Sequence, residues 1–172
     1  MANASTKTYF ATSIHEIGVV DPVKEADLMD ELKAGVFMLS EEDEAGIAWC
    51  ESQGYLGYTS YASLNDLPMR IPAFAELEKR LVKAANAHAR ALGFEMGSHK
   101  LSMDSYWVNL LDPGAGHSGH IHPNSILSGT FYLDLPEGAS AIRFEDPRLP
   151  FMMNSPPLRS DVADEEKRFI YF

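Results

Sequence analysis

The feature that most constrains the fold is a change of hydrophobic period after Gly97. Over 23–39 and 72–92 apolar residues recur at three- and four-residue intervals, and after Gly97 they recur at every second residue. The first spacing gathers apolar side chains on one stripe of a helix; the second puts them on one face of a strand. Helices first and strands afterwards define an α+β chain, a sheet or barrel with helices packed on one side. At 172 residues a single domain is expected, with a helical part over about 1–97 and a β core over about 98–172.

In the helical part, Asp21-Pro22 is a start signal, with Asp as cap and Pro in the first turn. Leu28, Leu32, Val36 and Leu39 then share a face, which predicts a helix over 23–39 that Gly35 weakens. Ser40, followed by four acids, predicts a second helix capped by Ser40, with Ile47, Ala48 and Cys50 facing the core and Gly54 as its stop. Residues 54–70 read as a long loop with a short strand around Tyr58–Tyr61. Loops of that length often carry function. Tyr55, Tyr58 and Tyr61 suit a pocket lining, although packing or solvent-facing roles are commoner. Pro72 to Leu92 is the clearest helix, striped by Phe74, Leu77, Leu81, Ala85 and Leu92, with Gly93 beyond its end. His88 lies off that stripe and reads as a surface or packing residue. A short strand is expected near the start of the chain, over Tyr9–Val20.

In the strand part, Leu101, Met103, Ser105, Trp107 and Asn109 share one face, and Ser102, Asp104, Tyr106 and Val108 the other. Asp112-Pro113-Gly114 is a turn. Further strands are expected around 119–122, 125–134 and 139–144, with a turn at Pro136-Glu137-Gly138. A Pro-rich loop follows from Pro150 to Pro157, and a last strand over 167–172. Three histidines, His117, His120 and His122, fall within six residues. In a strand His120 and His122 would project together, their Cα atoms roughly 6.5–7 Å apart, with Ile121 turned away. Two imidazoles can converge on one metal from there, and imidazole suits Fe, Zn, Cu and Ni alike. An isolated His-x-His pair is more often a polar pair on an exposed strand.

The net charge of -11 argues against a broad nucleic-acid or anionic-membrane surface, which needs clustered Lys and Arg. A local basic pocket for a small acid remains compatible with it. The one cysteine, Cys50, excludes an intrachain disulfide and a Cys-based zinc site, and fits a reducing compartment. The polar N-terminus lacks a signal-like apolar core, and no run approaches the ~20 apolar residues that span a bilayer. A cytoplasmic protein is expected. Gly-x-Ser-x-Gly and Gly-x-Gly-x-x-Gly are both absent, which disfavours a serine hydrolase and a dinucleotide fold.

The central stretch resembles the 2-oxoglutarate- and Fe(II)-dependent oxygenases, and more narrowly an uncharacterised family of them related to prolyl hydroxylases. The residues that carry the likeness are Trp107-x-Asn109, the Pro113-Gly114 turn, His120-x-His122-Pro123, Ser128-Gly129-x-x-Tyr132-Leu133 and Phe144-x-Asp146-Pro147-Arg148. Weaker likeness extends back through Gly57-Tyr58-Thr59-Ser60 and the 72–93 helix. The resemblance implies a double-stranded β-helix, or jelly roll, with helices packed on one sheet and Fe(II) at one mouth of the barrel. In that superfamily His-x-Asp and a distal His hold the metal and leave open positions, which take 2-oxoglutarate and then O2.

Carried onto this chain, the resemblance makes His120 the first metal ligand. His122 stands where an acid usually stands, so either the site is all-nitrogen or another group or water replaces His122. Its shared face with His120 favours His122 as a ligand. Tyr132 matches a position that often hydrogen-bonds the co-substrate carboxylate, and a core aromatic would serve equally there. Asn109 and Trp107 would face the cavity, Asn109 toward co-substrate or substrate and Trp107 toward substrate or as packing. His117, near the mouth, suits substrate contact or solvent.

The C-terminal part departs from the pattern, which requires a distal His after residue 148 and then, about ten residues on, an Arg that pairs with the far carboxylate of 2-oxoglutarate. No histidine follows His122, and neither Arg159 nor Arg168 follows such a His. A jelly roll ending at residue 172 would leave a raw edge. The expectation is therefore that further C-terminal strands exist beyond the given chain; the alternative is a degenerate two-histidine site. The expected function is hydroxylation of an unidentified small molecule or peptide with release of succinate and CO2. One alternative is a cupin-like metalloenzyme that dispenses with 2-oxoglutarate. Gly114 ahead of His120-x-His122 fits the start of a cupin motif, but its glutamate is missing around Ile126 and Leu127. The other is a catalytically inactive, ligand-binding jelly roll. A homodimer burying exposed edges is the oligomer expected; no nucleic-acid or membrane partner is.

Overall fold

A computed structural model describes residues 5–18, 22–149 and 156–172. They fall into two compact units, one of Ile17–Asp134 and one of Met1–Glu16 with Leu135–Phe172. The division does not coincide with the change of period near residue 97.

The first unit opens with helix α1 (Pro22–Glu42), which begins one residue before the expected 23–39 helix and runs three residues past it. The expected Asp21 cap lies outside the described residues. Leu32, Val36 and Leu39 are buried along one side, as their spacing predicts. Gly35 does not end the helix. It lies where α1 meets helix α4 (Pro72–Ala91), and a Cβ there would come within 3.2 Å of the Phe74 ring. Glycine costs about 1 kcal/mol against alanine in a helix interior; here it permits close approach to a ring that is only 2% exposed.

The next helix start corrects the expectation. Ser40 is part of α1, and its hydroxyl donates to the Phe37 carbonyl at 2.7 Å. A side chain bonded into its own turn is not free to cap the next helix. Asp43 takes that role for α2 (Glu44–Gln53), accepting the Gly46 N–H at 3.1 Å. Gly54 closes α2 in the left-handed region, at φ 63°. Cys50 faces the core as expected, whereas Ala48 is exposed and Gly46 is buried instead.

Strand β1 (Gly57–Thr59) pairs antiparallel with β2 (Asn109–Leu111), placing Tyr58 opposite Leu110 and Thr59 opposite Asn109. Gly57 has φ +115°, and a Cβ would lie 2.1 Å from the Leu110 carbonyl oxygen, so this pairing requires glycine. A short helix, α3 (Leu67–Arg70), leads into α4. One core joins these elements through Leu32, Val36, Tyr58, Leu67, Phe74 and Val108. Each such large apolar side chain contributes roughly 1.5–3 kcal/mol when fully buried. Beyond α4, the Asn86 side chain clasps Leu101, donating to its carbonyl at 2.9 Å and accepting its N–H at 2.8 Å.

The period of two correctly assigns faces: Tyr106, Val108 and Leu110 pack toward the core, while Asn109 is exposed. It does not correctly assign strands. Of the ladders expected over 101–109, 119–122 and 125–134, only 109–111 forms, with one bridge from Tyr106 to Asp66. Alternation records which way side chains point; a strand also needs a neighbour for its N–H and C=O groups. Phe131 and Leu133 reach the core and Tyr132 points out, with no ladder at all.

In the second unit, β3 (Arg143–Glu145) pairs antiparallel with β4 (Phe169–Tyr171). These are the expected 139–144 and 167–172 strands in shortened form. Pro136–Ala139 makes the expected turn, with Ala139 N–H on the Pro136 carbonyl at 3.0 Å and Gly138 at φ +85°. Arg148 folds back bidentately on Asp146, at 2.9 and 2.8 Å, which accounts for both charges of that motif. Residues 5–18 form no strand, contrary to the expectation over Tyr9–Val20, whose last two residues lie outside the described ones. Most of the Pro150–Pro157 loop also lies outside them.

The architecture is thus α+β. Among the described residues the strands make two two-stranded antiparallel sheets, which do not build a double-stranded β-helix. No helix of the described residues is long and apolar enough to cross a membrane.

Candidate active site

The site is built beside the β1–β2 pair, from α2, the segments that flank the two strands and the histidine segment. What holds that pair in place is the α2 N-terminus. Besides the Gly46 N–H, the Asp43 carboxylate accepts the Tyr58 hydroxyl at 2.7 Å and the Ser63 hydroxyl. Burial alone would raise the Asp43 carboxyl, but the bonds from Ser63, Tyr58 and Gly46 outweigh it and hold the group below the usual carboxylate range. Burial, with Asp43 as its acceptor, pushes the Tyr58 hydroxyl well up. On the other edge of the strand, Cys50 Sγ accepts the Thr59 N–H at 3.3 Å. Tyr58 is therefore a packing residue and not a pocket residue.

Rings from α2 and from the segments flanking this pair meet the histidine segment in a closed circuit of seven rings. From Trp107 the circuit runs to Tyr61 (5.2 Å between centroids), Trp49 (6.3 Å) and Tyr55 (6.5 Å). It continues through His117 (5.7 Å), His120 (6.2 Å) and His122 (5.1 Å) and closes on Trp107 at 5.7 Å. Trp107 and His122 stack nearly parallel, at 17°. Trp49 enters this circuit from α2, and the sequence reading missed it. Its signal was an aromatic on a short helix facing a tyrosine-rich loop, which does not by itself distinguish a site from packing.

His120 and His122 face one another although they are in no ladder, and Ile121 between them is 83% exposed. Pro123 starts a turn, with Ser125 N–H on the His122 carbonyl at 3.1 Å. His120 Nδ1 lies 2.8 Å from the Ser118 carbonyl. A carbonyl only accepts, so Nδ1 donates there and Nε2 is the nitrogen left to face a metal, a backbone anchor typical of a metal-binding histidine. His117 Nε2 lies 2.8 Å from the Tyr55 hydroxyl, which is 3.4 Å from Asn109 Oδ1. Burial, with Cys50 adding to it, raises the Tyr55 hydroxyl to about 12. It stays protonated at neutral pH and links His117 to Asn109.

The test of fit for Fe(II) is therefore met in part. With a metal–nitrogen distance of about 2.1 Å, imidazoles on adjacent positions of one ion have centroids about 4.6–5.3 Å apart, and the His120–His122 pair lies within that range. His117 is engaged with Tyr55. Among the described residues no group of three or more His, Cys, Asp or Glu side chains is placed to hold a metal. Tyr132 is 44% exposed and takes no part in the circuit. In the second unit Arg159 pairs with Asp161 at 2.9 Å, and Arg168 donates to the Pro156 carbonyl at 2.6 Å.

Residues 105–172 match the family described as "Putative 2OG-Fe(II) oxygenase". The match covers Trp107, Asn109, all three histidines of the circuit and Tyr132, but not Trp49, Tyr55 or Tyr61. No curated protein matches the chain.

Proposed function

We propose that the protein is an Fe(II)- and 2-oxoglutarate-dependent oxygenase that hydroxylates a small molecule or a peptide. The observation that carries this reading is the His120–His122 pair, 5.1 Å between centroids and anchored through Ser118, within a segment matching the oxygenase family. Bound Fe(II) and 2-oxoglutarate would supply the oxidising chemistry, coupling hydroxylation to release of succinate and CO2. The chain's own residues place and enclose. His120 and His122 donate to the metal, Trp107 fixes the plane of the His122 ring, and Tyr55 with Asn109 presents polar groups to the substrate or co-substrate. Tyr132 is proposed as a co-substrate contact from its place in the motif. The two-histidine ligand set favours a second reading, a binding protein of the same ancestry that has lost the reaction. The single buried cysteine supports a cytoplasmic setting. The net charge supports a non-nucleic-acid, non-membrane substrate, and a homodimer is the oligomer proposed.

Anaerobic titration with Fe(II) in the presence of 2-oxoglutarate tests the reading through the weak visible charge-transfer band. The band is expected in the parent chain and not in His120→Ala. Iron binding with no band would favour a metal-dependent enzyme without 2-oxoglutarate, and no iron binding would favour the inactive binding protein.

A further inference from the structure

We propose that the arc of Trp49, Tyr55, Tyr61 and Trp107 is a binding site for an organic ammonium group, the cationic end of the substrate. The inference names a substrate class for the oxygenase reading and rests on that reading only for the word substrate. Its first support is geometry. Neighbouring rings meet edge to face, Trp49 with Tyr61 at 61° and Tyr61 with Trp107 at 75°. Such angles tilt the rings against one another and do not stack them in parallel, and Tyr61 is 60% exposed. Ring faces present negative charge to a cation, and several together suit a group too large to be strongly hydrated.

The second support is charge. Residues 34–69 and 101–142, which supply every ring of the circuit, contain no Lys or Arg, in a chain of net charge -11. Glu51 and Asp112 are exposed acids of those segments. An acidic surface steers cations toward it. An apolar or aromatic substrate would need the rings but not this charge, and a metal ion would need carboxylates converging on it; an ammonium on a short carbon chain needs both features present.

The chain's only two tryptophans, Trp49 and Trp107, both belong to the arc, so intrinsic fluorescence reads occupancy directly. The experiment titrates the metal-free protein, without 2-oxoglutarate, with choline and with its neutral isostere 3,3-dimethylbutan-1-ol. Choline is expected to bind saturably and at least about tenfold more tightly. Tyr61→Leu should lose about fivefold or more of that affinity while Tyr61→Phe keeps it. Equal affinity for the two probes, non-saturable quenching, or an unchanged Tyr61→Leu would overturn the inference. N-acetyl-trimethyl-lysine methylamide in place of choline separates the sources, since a preference for it assigns a peptide-borne ammonium and a preference for choline a free one. Binding is read without iron, so its failure leaves the iron titration standing, and failure of the iron titration leaves this result standing.

Discussion

Two regions of the first unit are built by opposite means. Around Asp43 each polar group has a named partner: Gly46, Tyr58 and Ser63 donate to one carboxylate, and Thr59 donates to Cys50. From Pro113 to Asp134 the chain has no ladder partner and is held by turns, ring contacts and the Lys33–Asp134 ion pair at 2.9 Å, with Phe131 and Leu133 dipping into the core. A scaffold with satisfied buried groups tolerates little change, whereas a segment on its surface can exchange side chains and carry chemistry. The comparison predicts that substitutions near Asp43 alter stability, and those among the histidines alter function alone.

The largest effect is expected at Phe74. Phe74→Ala should cost about 3–5 kcal/mol in denaturant unfolding, because it empties the α1–α4 contact. Gly57→Ala comes next, at about 3 kcal/mol, since the added Cβ meets the Leu110 carbonyl and the positive φ is strained. A loss under about 1 kcal/mol at either position would break the claim that this half is the rigid one.

Asp43→Asn should cost about 1–3 kcal/mol and also change the acid limb of the stability curve. The folded Asp43 carboxyl lies below its ordinary value. Its contribution is therefore complete above the unfolded value of about 3.9, and is lost as pH falls through the lower folded value. Unfolding midpoints measured from pH 7 down to 2 should converge for parent and variant at the acid end. Parallel curves would show that Asp43 acts through shape and not charge.

The smallest stability effects belong to the histidines. His120→Ala and His122→Ala should stay within about 0.5 kcal/mol of the parent in unfolding, while each abolishes the iron and 2-oxoglutarate band. A variant that lost both stability and the band would show that the segment is structural after all. A His122→Ala protein that kept the band would make His120 the sole ligand of the pair and sharpen the role of Trp107 to packing.

Local signals in the sequence are legible because they report on a few neighbouring residues. The stripe of Phe74, Leu77 and Leu81 gives α4, Gly54 ends α2, and Asp112-Pro113-Gly114 turns with Ala115 N–H on the Asp112 carbonyl at 2.9 Å. The meeting of His120 with His122 across an exposed Ile121 is also local, since the two residues are only two positions apart. Where a local signal was ambiguous it misled. Ser40 and Asp43 are both good caps, and the choice between them rests on Tyr58 and Ser63, fifteen and twenty residues further along the chain. Strand partners were misjudged over 101–134 for the same reason, as alternation marks a face and not a neighbour.

What the residues determine unaided is the class of the chain, the extent of its long helices, the turns and the pair of imidazoles with its oxygenase likeness. The meeting of Trp49, Tyr55 and Tyr61 with Trp107 and the histidines was decided only by tertiary structure. Those rings come from a helix, a loop, a strand edge and an irregular segment, and no spacing along the chain brings them together. They meet because Gly57 lets β1 lie against Leu110, and Asp43 fixes α2 beside that strand. Close packing of backbone on backbone, specified by a missing Cβ, is a property of two distant segments jointly and is invisible in either one.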